Sequence, residues 1–514
     1  MIDFGAWLPD QPSLGNPGIA TLVNGFPALR GVKSVPSAAV VTQPQQSTGS
    51  PAADSPMPTI LGLHSTALIS SGALDVRLYA GTSTRLLKLD AGTKKFAQFT
   101  TSDPTYTSIP RWRFVEFATT GGTRHVYAAG GTSVTLQRFG VDGATAPEPV
   151  AAVSSGPATP TATHLAVVGR FLVCGNTGNS EAEVRWSQID DANSWTIGTN
   201  QADAQILADA SEITGMAGGE TGTILTREGI YRMQYVGAPL VFTFDKVSNR
   251  GCEFAGSVAS RSADEVYFLN EDGFQRYAGG QVQNIGAERV NDFFFRDFDR
   301  ANAANLSCVI DPARSLVVWS YGSLNSSGEN DSLIVYDFTL DRWGFARVQH
   351  QTVGTMRQLG VTLESLDTAA DGSAQTLEDL TLTLDSPTYA GGTSSLALAQ
   401  TTDDGSVVAT LSGTPLDLTL RTGEFEPVEQ QYVLVRGIYP HIDAQDATST
   451  VSCAVGSRTR QTDALSFAAS TAVNSTNLIP ARKTGRYFAL QFTATGDWDY
   501  AHGFSADFVP QGRR

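Results

Sequence analysis

From about residue 60 the chain alternates short apolar runs with glycine-containing turns, each followed by a second apolar run. The unit recurs as "VRLYAGTSTRLLKLD", "HVYAAGGTSVTLQRF", "RFLVCGNTGNSEAEVRW", "GTILTREGIYRMQYVG", "EVYFLNEDGFQRYAGG" and "SLVVWSYGSLNSSGENDSLIVYDF". With Leu78, Val126, Phe171, Ile224, Val266 and Val317 as equivalent positions, successive units lie 42 to 53 residues apart. That period is the length of a β-propeller blade. The pattern predicts an all-β fold whose centre, residues 59–357, is a propeller of about six blades.

The flanks read differently. Residues 1–58 carry Pro9, Pro12, Pro17, Pro27 and Pro36 among isolated aromatics and end in "TQPQQSTGSPAADSPMP". This predicts an extended arm and linker that needs a surface to lie against, on its own chain or on a neighbour. Within the arm, Trp7, Pro9, Pro12, Phe26 and Pro27 are the candidate assembly contacts. Because a proline-rich arm buries little area by itself, its deletion is expected to leave a folded monomer that no longer assembles. After residue 358, alternating runs such as "LEDLTLTLD", "VVATLSGTPLDLTLRTGEF" and "YVLVRGIYPHID" predict a separate antiparallel, sandwich-like β domain over 358–514, closing on a hairpin at "GRYFALQFTATGDWDYAHGF". One stretch, "ERVNDFFFRDFDRANAANL", suits a short helix inserted between the last two blades.

Composition narrows the function classes. Fifty Gly, 23 Pro and only 17% charged residues fit many short strands and tight turns. The formal net charge of −16 disfavours a protein that grips nucleic acid by neutralising phosphates. Cys174, Cys252, Cys308 and Cys453 are far apart in sequence without a CxxC pair, which points to buried free thiols rather than a zinc site. The N-terminus "MIDFGAWLPD" lacks the basic and apolar regions of a signal peptide, and the expectation is a chain made in the cytoplasm without ordinary secretion.

Catalytic patterns are weak. "SQIDDANSW", residues 187–195, has the serine and tryptophan of a sialidase Asp-box, but it is one residue too long, with Ile189 at the aspartate position and Asp191 at the glycine position. The six histidines never pair at metal-ligand spacing, and "GMAGGETGTIL" lacks the Gly-Lys-Ser/Thr ending of a phosphate loop. "NEDG", residues 270–273, reads as a hairpin turn with Gly273 at positive φ rather than a calcium loop. The expectation is a protein without catalytic activity, cofactor or bound metal.

The order of elements resembles the tail-nozzle proteins of short-tailed bacteriophages, also described as tail tubular protein B or packaged-DNA stabilisation proteins. The resemblance rests on "WLPDQPSLGNPGIATLVNGFPALRG", on "GRFLVCGN" with "VRWSQIDDANSWT", on "QADAQILADASEITGMAGGETGTILTREGIYRMQYVG" followed by "FTFDKVSNRGCEFAGSVA", and on "VYFLNEDGF". It spans about residues 7–350. It implies a propeller-based subunit of a hexameric ring in the virion tail, below the portal and adaptor. The implied partners are further copies of the chain, adaptor or head–tail connector proteins, tail fibres or tail-tip proteins, the host outer envelope by indirect contact, and duplex DNA passing without sequence-specific binding. In that setting Asp190 and Asp191 are candidate channel or loop contacts. The competing class is a propeller enzyme or lectin acting on host surface glycans, which requires carboxylates and aromatic platforms converging at one mouth of the propeller.

Overall fold

A computed structural model of the chain describes residues 1–47, 54–70, 73–100, 103–150, 159–357, 394–444 and 449–512. Apart from the helix Asn291–Asp297 and two short 3₁₀ turns, its regular structure is strand. The centre is a β-propeller, and the described residues form seven blades of at least four strands around one axis. Their innermost strands are Gly62–Ser70, Arg113–Ala118, Thr161–Val168, Ile213–Ala217, Ala259–Ser262, Ser307–Asp311 and Thr352–Arg357. Each lies beside the next, and the last closes on the first, where the Arg357 backbone N–H donates to Ser65 Oγ at 3.0 Å.

The six repeat positions all fall on the second strand of a blade. Phe171 opens one such strand, Phe171–Thr177, and Val317 lies in another, Leu316–Tyr321; both strands are buried along their whole length. A second strand is covered on both faces by neighbouring blades, so it reads as a continuous apolar run rather than an alternation. The period found six units because the seventh blade is assembled from distant segments. Its strands Thr352–Arg357, Ser394–Thr402 and Gly405–Pro415 are interrupted in sequence, and its outermost strand is Pro36–Val40 from the N-terminus. The propeller therefore extends to Pro415, past the boundary expected at residue 357.

The N-terminal segment is no free arm. Ile2–Asp3 pairs with the final strand Trp498–Gly512, Ile19–Val23 with Leu418–Thr422, and Gly25–Pro27 with the sixth blade's outer strand Arg342–His350. Gln45–Ser47 runs parallel to Phe96–Ala97 at the edge of the first blade. The physical reason is burial. Trp7 is 1% exposed and packs edge-on against Phe293, with ring centroids 5.0 Å apart, while Phe26, Ile19 and Leu22 also enter the core. Trp7, Phe26 and Pro27 are thus occupied within their own chain; Pro9 is half-buried and Pro12 exposed. Of the two surfaces expected for this segment, its own chain or a neighbour, the structure shows the first.

The C-terminal region is a two-sheet sandwich, but not a separate unit. One sheet orders Ile19–Val23, Leu418–Thr422, Tyr487–Thr495 and Thr450–Arg458. The other runs from the sixth blade through Gly25–Pro27 and Val32–Ser34 to Trp498–Gly512, Tyr432–Ala444 and Ile479–Gly485. A single apolar core joins Phe488, Phe492 and Phe504 of the sandwich to Trp319 and Trp343 of the sixth blade. The expected closing hairpin is a crossover, since Tyr487–Thr495 and Trp498–Gly512 belong to opposite sheets. The segment "LEDLTLTLD" lies outside the described residues.

Two local expectations hold. The helix Asn291–Asp297 sits between the fifth and sixth blades and buries Phe294 against Phe274 and Tyr321. In the Asn270–Gly273 turn, Gly273 has φ +112°, and a Cβ there would meet Asn291 Cγ at 2.1 Å, so only glycine fits.

Candidate functional site at the rim of the third blade

The Ser187–Trp195 segment leaves the third blade between its strands Glu183–Trp186 and Asp203–Ile206. Ser187 Oγ accepts the Leu172 backbone N–H at 3.1 Å and donates to the Gln188 carbonyl at 2.9 Å, which ties the loop's start to the neighbouring strand. Its end is anchored by Trp195, buried, whose indole N–H donates to the Ala192 carbonyl at 2.9 Å. Between these anchors, Asp191 accepts the Asn193 backbone N–H at 3.0 Å and the Ser194 hydroxyl at 2.7 Å. That is the local turn that aspartate side chains form with their own backbone. Asn193 in turn accepts from Tyr127 and Arg138 of the second blade at 3.0 and 2.9 Å.

Asp190 adopts φ +57° and points the other way. Its carboxylate accepts Arg170 Nε at 2.7 Å, and its carbonyl accepts the Thr120 backbone N–H at 2.9 Å. The two acidic candidates are therefore adjacent in sequence but serve different neighbours: Asp191 shapes the loop, and Asp190 neutralises an exposed arginine.

Arg170 borders a groove of about 590 Å³ between the third and fourth blades, lined also by Phe171, Ile189, Glu220, Gln234 and Tyr235. Tyr235 lies 5.6 Å from Phe171 between ring centroids and donates its hydroxyl to Gln201 Oε1 at 2.8 Å. Beyond it, Val236 and Leu240 are exposed at the tip of the hairpin. The groove offers one aromatic face, one arginine and one carboxylate, Glu220. Such a set can stack on and hydrogen-bond a polar ring; glycoside hydrolysis by the common route needs a second carboxylate aimed at the same bond.

Among the described residues no group of three or more His, Cys, Asp or Glu side chains is placed to hold a metal ion, and no helix is long and apolar enough to cross a membrane. The four thiols are free. Burial pushes Cys453 up to about 12 and Cys174 higher still, which keeps both protonated and unreactive at neutral pH.

One cluster escaped the sequence reading. "RWRF", residues 111–114, places Arg111 and Arg113 at the start of the second blade's inner strand, near the buried His164 of the third. The available signal was two arginines flanking a tryptophan at the entry to a strand, a pattern that in extended chain puts both cations on one side.

No protein-family model matches the chain, nor does any curated protein. Among solved structures, it is similar to the extracellular domain of the hybrid two component system BT4673 from B. thetaiotaomicron, at 12% identity and TM-score 0.38 over 80% of this chain and 43% of that one. It is similar also to a quinonprotein alcohol dehydrogenase-like protein (BT1487) from Bacteroides thetaiotaomicron, at 12% identity and TM-score 0.32 over 56% and 66%. An exo-beta-1,3-galactanase from Phanerochaete chrysosporium matches at 7% identity and TM-score 0.21 over 86% and 81%. The chain thus spans less than two thirds of the first two.

Proposed function

We propose that this chain is a structural virion protein, the subunit of a hexameric tail nozzle of a short-tailed phage, which continues the DNA-ejection channel below the portal and adaptor and retains, then releases, the genome. The observation that carries the reading is the sequence resemblance over about residues 7–350 and the place of its segments in the fold. "GRFLVCGN" lies on the third blade, "GTILTREGIYRMQYVG" on the fourth, "VYFLNEDGF" on the fifth, and the N-terminal segment seams the sixth blade to the sandwich. The net charge of −16 supports a wall that lets phosphates pass without holding them.

The test is electron microscopy of the purified protein, alone and with its adaptor ring. Six-fold rings that stack on the adaptor are the expected result. The competing reading, a propeller enzyme or lectin for host surface glycans, has the Arg170–Tyr235 groove in its favour. A monomer that releases or binds envelope glycans, and loses this on Glu220→Gln or Tyr235→Ala substitution, would replace the nozzle reading.

A further inference from the structure

The segments that lead into the inner strands of the first, second, sixth and seventh blades gather at one mouth of the propeller, where Arg111 lines a cavity and Arg113 follows two residues on, at the start of its strand. Trp112 between them is 3% exposed and is fixed by its indole N–H on the Thr82 carbonyl at 2.8 Å. Its insertion sends the arginines on either side in the opposite direction. Both guanidinium groups reach the turn that precedes the fifth blade. Arg113 Nη2 donates to the Ala255 carbonyl at 2.9 Å, and Arg111 Nη1 lies 2.8 Å from where a Cβ on Gly256 would stand. Arg111 Nη2 donates to the Ala304 carbonyl at 3.2 Å.

Neither arginine has a carboxylate within salt-bridge distance among the described residues, whereas Arg138, Arg276 and Arg458 each hold one and Arg347 holds two. A guanidinium carries five N–H donors, so most of the donors of this pair have no partner among the described residues. A third group completes the cluster. His164, 2% exposed, has a ring Nε2 without a hydrogen-bond partner among the described residues. Burial first, then the charges of Arg113 and Arg111, holds it well below the usual histidine range, which places it in the field of both. Burial likewise pushes Arg111 down to about 10, and burial together with Arg111 pushes Arg113 down to about 9. Beside Arg111 opens a cavity of about 90 Å³, bordered by Leu61, Asn305, Glu329 and Gln351. Its acid, Glu329, accepts the Thr401 hydroxyl at 2.6 Å.

Two half-buried cations without a counter-charge among the described residues, in a chain of net charge −16, call for an anion that supplies several acceptor oxygens. The planar fork of arginine matches phosphate oxygens two at a time. We infer that the mouth of the propeller axis is a binding site for a phosphate-type oxyanion, clamped by Arg111 and Arg113, with His164 Nε2 as a third polar group behind them. The small cavity favours a free ion or a terminal phosphomonoester over the backbone of a duplex. The inference is independent of the nozzle reading and stands on the cluster alone.

The test is calorimetric titration of the full chain with inorganic phosphate, at constant ionic strength set by chloride. One saturable site is expected, with affinity reduced roughly tenfold to a hundredfold for Arg111→Gln or Arg113→Gln, the range that a charge-assisted hydrogen bond carries. Arg77→Gln, a cation outside the cluster and paired with Asp75, should bind as the parent does. Arg113→Lys, which keeps the charge and loses the fork, serves if the glutamine variant fails to fold, and weaker binding is expected there too. A 5′-phosphorylated dinucleotide, compared with its unphosphorylated form, separates the sources: tighter binding than inorganic phosphate assigns a terminal phosphomonoester, and equal or weaker binding assigns the free ion. Absence of saturable phosphate binding, or equal binding by the parent and the arginine variants, would overturn the inference.

Discussion

Single side chains decide several properties of this molecule. His350, fully buried in the sixth blade, has Nδ1 on the Val348 carbonyl at 2.7 Å and Nε2 against the Ser320 hydroxyl at 2.6 Å. The carbonyl can only accept, so Nδ1 carries the proton and Nε2 accepts from serine. Burial pushes its pKa down to about 4. The unfolded chain takes up a proton near pH 6.5 and the folded chain does not, so this contribution is whole above about pH 6.5 and is lost as pH falls toward 4. The loss amounts to on the order of 3 kcal/mol, and urea unfolding from pH 7.5 to 4.5 should show it as a falling midpoint. A His350→Gln variant should have a flatter profile over the same range. Gly273→Ala tests the turn: at φ +112° and with Asn291 in the way, the added methyl should lower stability by about 2 kcal/mol or more, read from the same denaturant midpoints.

At the scale of elements, the N-terminal strands are the closing pieces. Pro36–Val40 completes the seventh blade, and Gly25–Pro27 with Val32–Ser34 joins the sixth blade to the sandwich. Deleting residues 1–41 therefore exposes strand edges and the apolar bed of Trp7 and Phe26 together. The expected outcome is a lower and broader thermal transition, with dye binding to exposed apolar surface. A deletion variant that melts as sharply and as high as the parent would refute the seam. Trp7→Ala isolates the packing part, at about 3 to 5 kcal/mol for an aromatic removed from a filled core, measured by equilibrium unfolding.

For the whole molecule, charge is the informative quantity. At −16 per chain, the six-fold ring proposed above would carry −96, so a bore that grips DNA would require strong segregation of charge. Each base-specific contact would act as a brake of roughly 1 to 3 kcal/mol on a passing genome. Assembled rings are expected to bind duplex DNA more weakly than micromolar at low salt, with a shallow salt slope in a filter or anisotropy assay. Tight binding with a steep slope would show a phosphate-gripping channel instead. Arg111 and Arg113 do not alter this expectation, since the cavity that Arg111 lines holds only about 90 Å³.

The sequence by itself determined what depends on near neighbours along the chain. Apolar runs punctuated by glycine marked the second strands of six blades, "NEDG" marked a turn, and "NDFFFRD" marked the helix, because each signal lies within one element. The Ser187–Trp195 stretch already failed the Asp-box pattern in the sequence, and the structure shows what holds it as a loop: the Ser194 hydroxyl donates to Asp191 three residues away. What only the tertiary structure decided are the pairings between distant segments. Pro36–Val40 meets Gly405–Pro415 across more than 360 residues, and nothing local in a proline-spaced segment names that partner. Arg113 and His164 belong to different blades and come together only because seven inner strands crowd one axis. Periodicity reports which face of an element is apolar, while ring closure and the juxtaposition of charges depend on how those faces stack.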